Sequence, residues 1–305
     1  MPRVSVVIPV YSREDDMLGR AVTSVLEQTM SDFEIIVVDD GSPSPHAHVA
    51  SMDPRIRYFQ QPNRGVSAAR NVGVLHAHAE LIAFLDHDDV WLPTKLEQQL
   101  SLVAEEPDAA FWCTGFIWVD AESEIAAEAT RPTYWGLLGD QMVLNSSVMV
   151  RKADYWAAGG YSPVLTHAED WDLFLRLCLE KRAAAVATPL VRYFLHSANA
   201  SHDYYSAATA KFAILAEHER RAVRRNDVGA LRAVRRGYRC TRELFAHQAI
   251  DAAREALGNH NRGAALKHLA RASRWSPRVA ATAVGKAVGT RARVSSASGT
   301  VRTTD

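Results

Sequence analysis

Two apolar runs separated by a helical segment limit what the N-terminal part of this chain can fold into. Residues 4–10 and 33–38 are rich in Val and Ile, as strands covered on both faces of a sheet usually are. Apolar residues between them recur at the spacing of one helix face. A strand, a helix and a strand within residues 4–38 predict a parallel crossover, and therefore an α/β fold. We expect the first strand to stop at Pro9, which has no N–H for a central ladder.

Acidic residues follow the predicted strands where the strands end. Asp39 and Asp40 follow the second strand, and three acids within residues 86–89 follow the apolar run 83–85. Ligands of open sheets bind beyond the carboxyl ends of the strands, so we expect these acids to share one rim. Crowded carboxylates repel one another unless a cation lies among them, and oxygen ligands suit Mg²⁺ or Mn²⁺. Taken alone, residues 86–89 are equally consistent with an acidic loop in water.

The rest of the chain divides into a mixed part and a helical part. Residues 120–135 have no periodicity and are predicted to be a loop that flanks the site. Further strands are predicted at 56–59, 109–119, 142–150 and 191–196, and helices at 65–73, 93–103, 167–178, 204–225, 228–257 and 262–274. We therefore predict an α/β domain at 1–203, a basic helical extension at 204–290 and a disordered tail at 291–305.

The formal net charge of zero hides an uneven distribution. Residues 1–203 contain 15 Lys and Arg against 28 Asp and Glu, whereas residues 204–305 contain 20 against 7. Either the acidic and basic parts face each other, or the basic part is suited to peripheral contact with anionic lipid or to a phosphate-bearing acceptor. A solvated helical surface is the alternative to both. The basic part lacks the interleaved aromatic residues of a nucleic-acid interface, so no nucleic acid is expected.

The cysteines and the apolar runs bear on the compartment. Three widely spaced cysteines indicate neither a disulfide framework nor a zinc site. The N-terminal apolar run is too short for a membrane span and has no cleavage site of a signal peptide. We expect a cytoplasmic protein, at the inner membrane surface if the basic part meets lipid.

Five ordered motifs resemble the family 2 inverting glycosyltransferases of the GT-A fold. They lie at residues 4–11, 37–42, 63–73, 84–93 and 168–173. The resemblance implies a mixed, mainly parallel sheet flanked by helices, and transfer of a sugar from a UDP- or dTDP-sugar to an acceptor hydroxyl with Mn²⁺ or Mg²⁺. It also implies a role in cell-surface glycan or glycoconjugate synthesis, with a glycan, lipid-linked or small-molecule acceptor.

The resemblance assigns donor-binding roles to five residues. Pro9 and Tyr11 would lie against the base, and Asp40 would accept a hydrogen bond from the base edge. Arg70 would lie near the nucleotide. Asp86 would hold the ribose or assist the metal.

The acidic loop also provides the expected metal ligand. Asp88 matches the carboxylate of the Asp-x-Asp motif, and His196 is a second candidate near the diphosphate. His87 is expected either to reach a phosphate or the ribose, or to be solvated. Asp89 is expected to cap the helix that begins near Pro93.

A Glu-Asp pair supplies the expected chemistry on the acceptor side. Asp170 matches the family's general base, which takes the proton of the acceptor hydroxyl during an inverting displacement. Glu169 and Trp171 are candidates for acceptor contact, although Trp171 is equally suited to core packing. Acids at a helix start are also common as caps.

Two other functions remain open from the sequence. A nucleotidyltransferase also uses an acidic metal site on an α/β sheet, but it is expected to have a Gly-rich phosphate loop near its first strand, and neither Gly-x-Gly-x-x-Gly nor Gly-Lys-Ser/Thr follows any predicted strand here. The other possibility is a non-catalytic nucleotide-sugar-binding or scaffold protein. The presence of the Glu-Asp pair argues against it.

Overall fold

The fold is a mixed sheet flanked by helices, followed by a helical part. A computed structural model describes residues 1–13, 16–195 and 203–282. The strands in this part of the chain are β1 Val4–Val10, β2 Phe33–Asp39, β3 Ile56–Gln60, β4 Leu81–Phe84, β5 Val90–Trp91, β6 Trp112–Val119, β7 Glu124–Ala127, β8 Met149–Arg151 and β9 Ala184–Phe194. The helices are α1 Asp16–Leu26, α2 Val66–His76, α3 Lys95–Glu105, α4 Tyr134–Gly139, α5 Lys152–Ala157, α6 Glu169–Leu177, α7 Tyr204–Arg224, α8 Val228–Gly258 and α9 Arg262–Trp275.

The strand order combines a parallel half with a mixed half. The sheet runs β3-β2-β1-β4-β8-β6-β9-β5, with β7 paired to β6. Strands β3, β2, β1 and β4 are all parallel, as the crossover pattern predicts. Beyond β4, strand β8 is antiparallel to both β4 and β6, whereas β6 and β9 are parallel. The parallel half places the ends of β1, β2 and β4 at one rim.

The first strand continues past Pro9, contrary to the prediction. Pro9 pairs with Val38 of β2, and the strand ends at Val10. The backbone N–H of Leu85 donates to the carbonyl of Val7, so the backbone groups of Val7, and of Pro9 two residues later, are directed toward β4. Strand β4 ends at Phe84, before it reaches the level of Pro9. The missing N–H of Pro9 therefore removes no bond from the ladder.

Two segments differ from the sequence-based expectation. Residues 120–135 contain a hairpin strand, β7, which pairs with β6, and the start of α4. Of the predicted strand 142–150, only the end is extended, because Asn145–Ser147 forms a 3-10 turn. The side chains of this turn are buried and hydrogen-bonded, which competes with the extended backbone of a strand.

The helical part shares a hydrophobic core with the sheet. Ile214 and Leu215 of α7 and Val234 of α8 belong to the same buried cluster as Leu138 of α4 and Leu173 of α6. The three C-terminal helices have nearly the predicted bounds. The predicted domain boundary at 203/204 directly follows residues 196–202, which are outside the described part of the chain. The predicted tail at 291–305 is outside it as well. The division into domains stays a prediction.

The described part of the chain contains no candidate for a membrane-spanning helix. None of the helices there combines the length and the apolar composition that a membrane span needs.

Candidate active site

The ends of β1 and β2 form one side of the rim. Val10 pairs with Asp39, and the N–H of Asp40 donates to the Val10 carbonyl at 2.8 Å. Pro9 is buried, whereas Tyr11, directly beyond the strand, is 54% exposed. An exposed aromatic ring at this rim is available to stack on a flat ligand.

Asp40 holds the loop that leads into α2. Its carboxylate accepts hydrogen bonds from the Gln61 side chain at 2.7 Å, from the Arg64 N–H at 2.9 Å and from the Gly65 N–H at 2.8 Å. Gly65, at φ 87°, has a backbone conformation that L side chains rarely adopt. Two carboxylate oxygens have about four acceptor positions, so one remains for a further donor. The contact of Asp40 with a base stays a prediction.

Arg70 connects the acidic loop to the Glu-Asp pair. Its guanidinium donates to Asp86 and to Glu169, each at 2.7 Å, and its side chain is only 5% exposed. It also lies over the Tyr161 ring, 4.9 Å from the centroid. Burial lowers the pKa of Arg70, but Asp86, Tyr161 and Glu169 outweigh this effect and raise it well above its usual value. The structure thus joins two motifs that are far apart in sequence.

Two site residues lie outside every motif that sequence reasoning identified. The Asn145 side-chain amide donates to Asp86 at 3.2 Å, and its carbonyl oxygen accepts from the Tyr161 hydroxyl. Tyr161 is fully buried. The polar residues 145–147 within an apolar segment were the sequence feature that could have indicated these contacts. Because apolar residues flank them on both sides, the whole segment is predicted to be a strand.

Asp89 lies inside the protein and is not a helix cap. It is fully buried and accepts a hydrogen bond from the Ser146 hydroxyl, whereas α3 begins at Lys95 with Thr94 as its N-terminal flanking residue. Burial, followed by the charges of Asp88 and Asp86, raises the pKa of Asp89 well above its usual value. The predicted capping role is therefore wrong. Asp89 instead connects the acidic loop to the buried turn at Ser146.

The acidic loop suits a hard divalent ion whose coordination is completed by oxygen atoms of a bound substrate. His87 and Asp88 are half-buried in the turn between β4 and β5. One buried oxygen of Asp89, Oδ1, has no hydrogen-bond partner in the described structure. In the described ranges no three His, Cys, Asp or Glu side chains form a ready-made metal cage. Mg²⁺ is commonly held by one or two carboxylates together with substrate phosphates, so the donor set at Asp88 fits such an ion.

Asp170 has the pKa of a base that works near neutral pH. Burial, followed by the charge of Glu169, raises the pKa of Asp170 to about 6, although Arg70 acts in the opposite direction. Its carboxylate accepts a hydrogen bond from the N–H of Trp171 at 2.7 Å. A carboxylate with this pKa, at least partly accessible to solvent, can take and release a proton near pH 7.

The neighbours of Asp170 have other partners. Glu169 is engaged by Arg70, and the Trp171 indole N–H donates to the Leu137 carbonyl at 2.9 Å. The Trp171 ring is half-buried against the core. Contact of Glu169 or Trp171 with an acceptor stays a prediction. His196 lies outside the described residues, and its proposed place near the diphosphate also stays a prediction.

The sequence is similar to known glycosyltransferases over its first half. The model of the family described as "Glycosyl transferase family 2" matches residues 5–148. An uncharacterized glycosyltransferase of Rickettsia felis is 45% identical over 106 residues, which are 34% of this chain and 17% of that protein. The succinoglycan biosynthesis protein ExoW of Rhizobium meliloti is 38% identical over 121 residues, which are 37% of this chain and 38% of ExoW.

These similarities cover only parts of the relatives. The chain spans between 17% and 39% of the length of the first seven curated relatives that it matches. An uncharacterized glycosyltransferase of Haemophilus influenzae is matched over more of its length, with 27% identity over 58% of this chain and 62% of that protein.

A solved structure shares the fold over most of the chain. The crystal structure of S. aureus TarS 1-349 in complex with UDP-GlcNAc matches with a TM-score of 0.61 and 14% identity, and covers 89% of this chain and 91% of that one. At this identity the likeness concerns the fold, which is of the GT-A type. The order of the motifs and the match of the family model therefore identify residues 5–148 with glycosyl transferase family 2, and the solved structure agrees with this match in fold.

Proposed function

We propose that this protein transfers a sugar from a UDP- or dTDP-sugar to an acceptor hydroxyl, with inversion at the anomeric carbon. The observation that carries the proposal is the contact of Arg70 with both Asp86 and Glu169, at 2.7 Å each. This contact links the acidic loop, which suits a diphosphate with its ion, to Asp170, which suits proton transfer. The two chemical requirements of the reaction thus occur in one connected site.

The donor side uses the rim of the sheet. Tyr11 provides an exposed ring for the base, and Asp40 has one acceptor position left for its edge. Asp88 would hold Mn²⁺ or Mg²⁺, and Asp86 would hold the ribose. A bound divalent ion would offset the negative charge that develops on the departing diphosphate. His87 and Asp88 extend the same turn and complete this side.

The acceptor side uses one base. The acceptor oxygen forms its bond to the anomeric carbon as the bond to the diphosphate oxygen breaks, and the hydroxyl proton passes to the Asp170 carboxylate. A single displacement from the face opposite the leaving group inverts the configuration. Arg70 donates a charge-assisted hydrogen bond to Glu169 and holds it in place beside the base.

A donor screen with a product assay tests the function. Thermal unfolding with Mn²⁺ and a panel of nucleotide sugars should show one selective donor, because a ligand that binds the native state stabilises it by mass action. The selected donor is then incubated with candidate acceptors, and release of the nucleoside diphosphate is measured. If no nucleotide sugar stabilised the protein and no nucleoside diphosphate were released, the proposal would be contradicted.

The basic helical part suggests where the acceptor is met. Arg232, Arg235, Arg239 and Arg242 are exposed on α8 at a spacing of three or four residues, and we call them the basic stripe. None of them forms an ion pair with a described residue. Residues so placed favour contact with an anionic lipid surface or a lipid-linked acceptor, as expected for an enzyme of cell-surface glycan synthesis.

A further inference from the structure

A lysine interrupts the buried face of α7. The buried residues of this helix include Ala208, Leu215, His218 and Ala222, at the spacing of one helix face. Lys211 lies on this face, one turn before Leu215, at a position where an apolar residue would normally pack. Since Leu215 is fully buried in the core that α7 shares with the sheet, the lysine stem is held close to that core.

The head group of Lys211 lies over the ring of the residue that follows the proposed base. Its Nζ lies 5.6 Å from the centroid of the Trp171 ring, and Trp171 directly follows Asp170. Burial lowers the pKa of Lys211, and the charge of Asp170 partly offsets this by raising it. In the described part of the chain no carboxylate lies within the 4.0 Å of an ion pair with this ammonium group. No described carboxylate therefore neutralises the charge of Lys211 through an ion pair.

The other groups that act on Asp170 do not supply a free positive charge. Glu169 and Asp86 are negative, and the Tyr161 hydroxyl is neutral. Arg70 is positive, but it forms ion pairs with both Glu169 and Asp86. Arg70 favours the ionised form of Asp170, but its charge is shared with two other carboxylates. For Lys211, by contrast, Asp170 is the carboxylate whose charge raises the pKa.

We propose that Lys211, carried by the helical part of the chain, is a positioning residue that stabilises the ionised form of the Asp170 carboxylate. The ionised form is the one that accepts the proton of the acceptor hydroxyl. This inference rests on the proposed role of Asp170 as the base. It assigns to α7 a function in the reaction itself, in addition to packing.

The consequence is a pH-dependent defect when the charge is removed. Without a nearby cation, a carboxylate keeps its proton to a higher pH. The variant K211M retains the length of the side chain and removes the charge, whereas K211R retains the charge. The acid limb of the kcat/KM profile should therefore move to higher pH in K211M and stay close to the wild-type position in K211R.

The experiment compares four forms of the full-length protein with the selected nucleotide sugar. These are wild type, K211M, K211R and the control K267M, which removes an exposed lysine of α9. At about pH 6, K211M should lose roughly two- to fivefold in kcat/KM, and at about pH 8.5 it should approach wild type. K267M should follow wild type throughout. An equal loss at every pH in K211M would assign Lys211 to packing and overturn the proposal.

A second measurement keeps the inference testable if no donor is turned over. Absence of transfer by wild type would contradict the proposed function, but the ionisation of Asp170 can still be followed by unfolding in urea. The stability difference between wild type and D170N is measured against pH, with and without K211M. The pH at which this difference levels off should rise by roughly half to one pH unit when K211M is present, because the pKa of the folded state rises and that of the unfolded chain does not. An unchanged levelling-off point would overturn the inference.

Discussion

At the scale of single residues, Asp170 is held between opposing influences. Burial and Glu169 favour its protonated form, while Arg70 favours the carboxylate, and the resulting pKa is about 6. The base of an inverting displacement must be ionised before the acceptor arrives and must accept a proton during attack. A pKa slightly below neutral satisfies both conditions.

We expect D170N to abolish transfer while donor binding is retained. Loss of a positioned general base typically costs about 10²–10⁴-fold in rate, and the donor side is formed by other residues. Diphosphate release and titration of the donor by calorimetry measure the two effects. D172N is a matched control on the same helix, because Asp172 pairs with Arg176 at 2.7 Å. Equal loss of donor binding in D170N would assign Asp170 to the structure of the site.

The same carboxyl should make stability depend on pH. The pKa of Asp170 is raised in the folded state, so the folded state binds the proton more tightly than the unfolded chain. Wild type and D170N should differ little below about pH 4, and wild type should lose stability relative to D170N as the pH rises through about 6. The full difference is on the order of 3 kcal/mol. Urea unfolding of both forms between about pH 4 and pH 8 measures it, and a constant difference would contradict the shifted pKa.

Sequence reasoning found the charged residues of the site but not how they are satisfied. The acidic motif and the Glu-Asp pair are visible in sequence because their residue types are unusual beside apolar runs. Asn145 and Lys211 are not, because an amide or a lysine is ordinary in any segment until tertiary contacts give it a partner. Asp89 was misassigned for the same reason, since its burial depends on Ser146, far away in the chain.

At the scale of elements, the long helices were predictable and the short strands were not. Helices α7, α8 and α9 each follow a capping side chain, Asp203, Asp227 or Asn261, which accepts from a backbone N–H of the first turn. Such signals are local. Strand β7 has no β-branched alternation, and it exists because β6 offers an edge. Its position depends on a partner that local sequence does not contain.

The docking of α8 on α4 depends on a glycine. A Cβ at Gly237 would collide with the backbone carbonyl oxygen of Leu138 and would approach Leu215 Cδ2 to 2.9 Å. We expect G237A to destabilise the protein by about 2 kcal/mol or more, because a backbone atom cannot move aside as a flexible side chain can. G258A, at the end of the same helix, is the control, since nothing lies within 4 Å of the Cβ that it adds. Urea unfolding compares the two, and equal stability would contradict the close approach.

At the scale of the whole molecule, the charge division acquires a geometry. Several C-terminal arginines are balanced by carboxylates of the body or of their own helix, as Arg236 is by Asp140, Arg225 by Glu180 at 3.4 Å and Arg220 by Glu217 at 2.6 Å. Of these arginines, Arg236 and Arg225 connect the helical part to the sheet domain. The basic stripe on α8 has no such partners among the described residues, so its charge is directed outward.

The basic stripe gives the last prediction, which concerns binding of the whole protein to anionic vesicles. Each arginine near an anionic surface contributes about 1 kcal/mol, so replacing three of them by glutamine should weaken binding by roughly 100-fold. The test variant is R232Q/R235Q/R239Q. The control, R220Q/R224Q/R254Q, removes the same charge from arginines that are paired with acids of their own helices. Flotation with phosphatidylglycerol vesicles, and with neutral vesicles as a blank, measures the difference. Since the net charges of the two variants are equal, equal flotation would mean that total charge and not the stripe governs binding, whereas a selective loss in the stripe variant would place the membrane against α8.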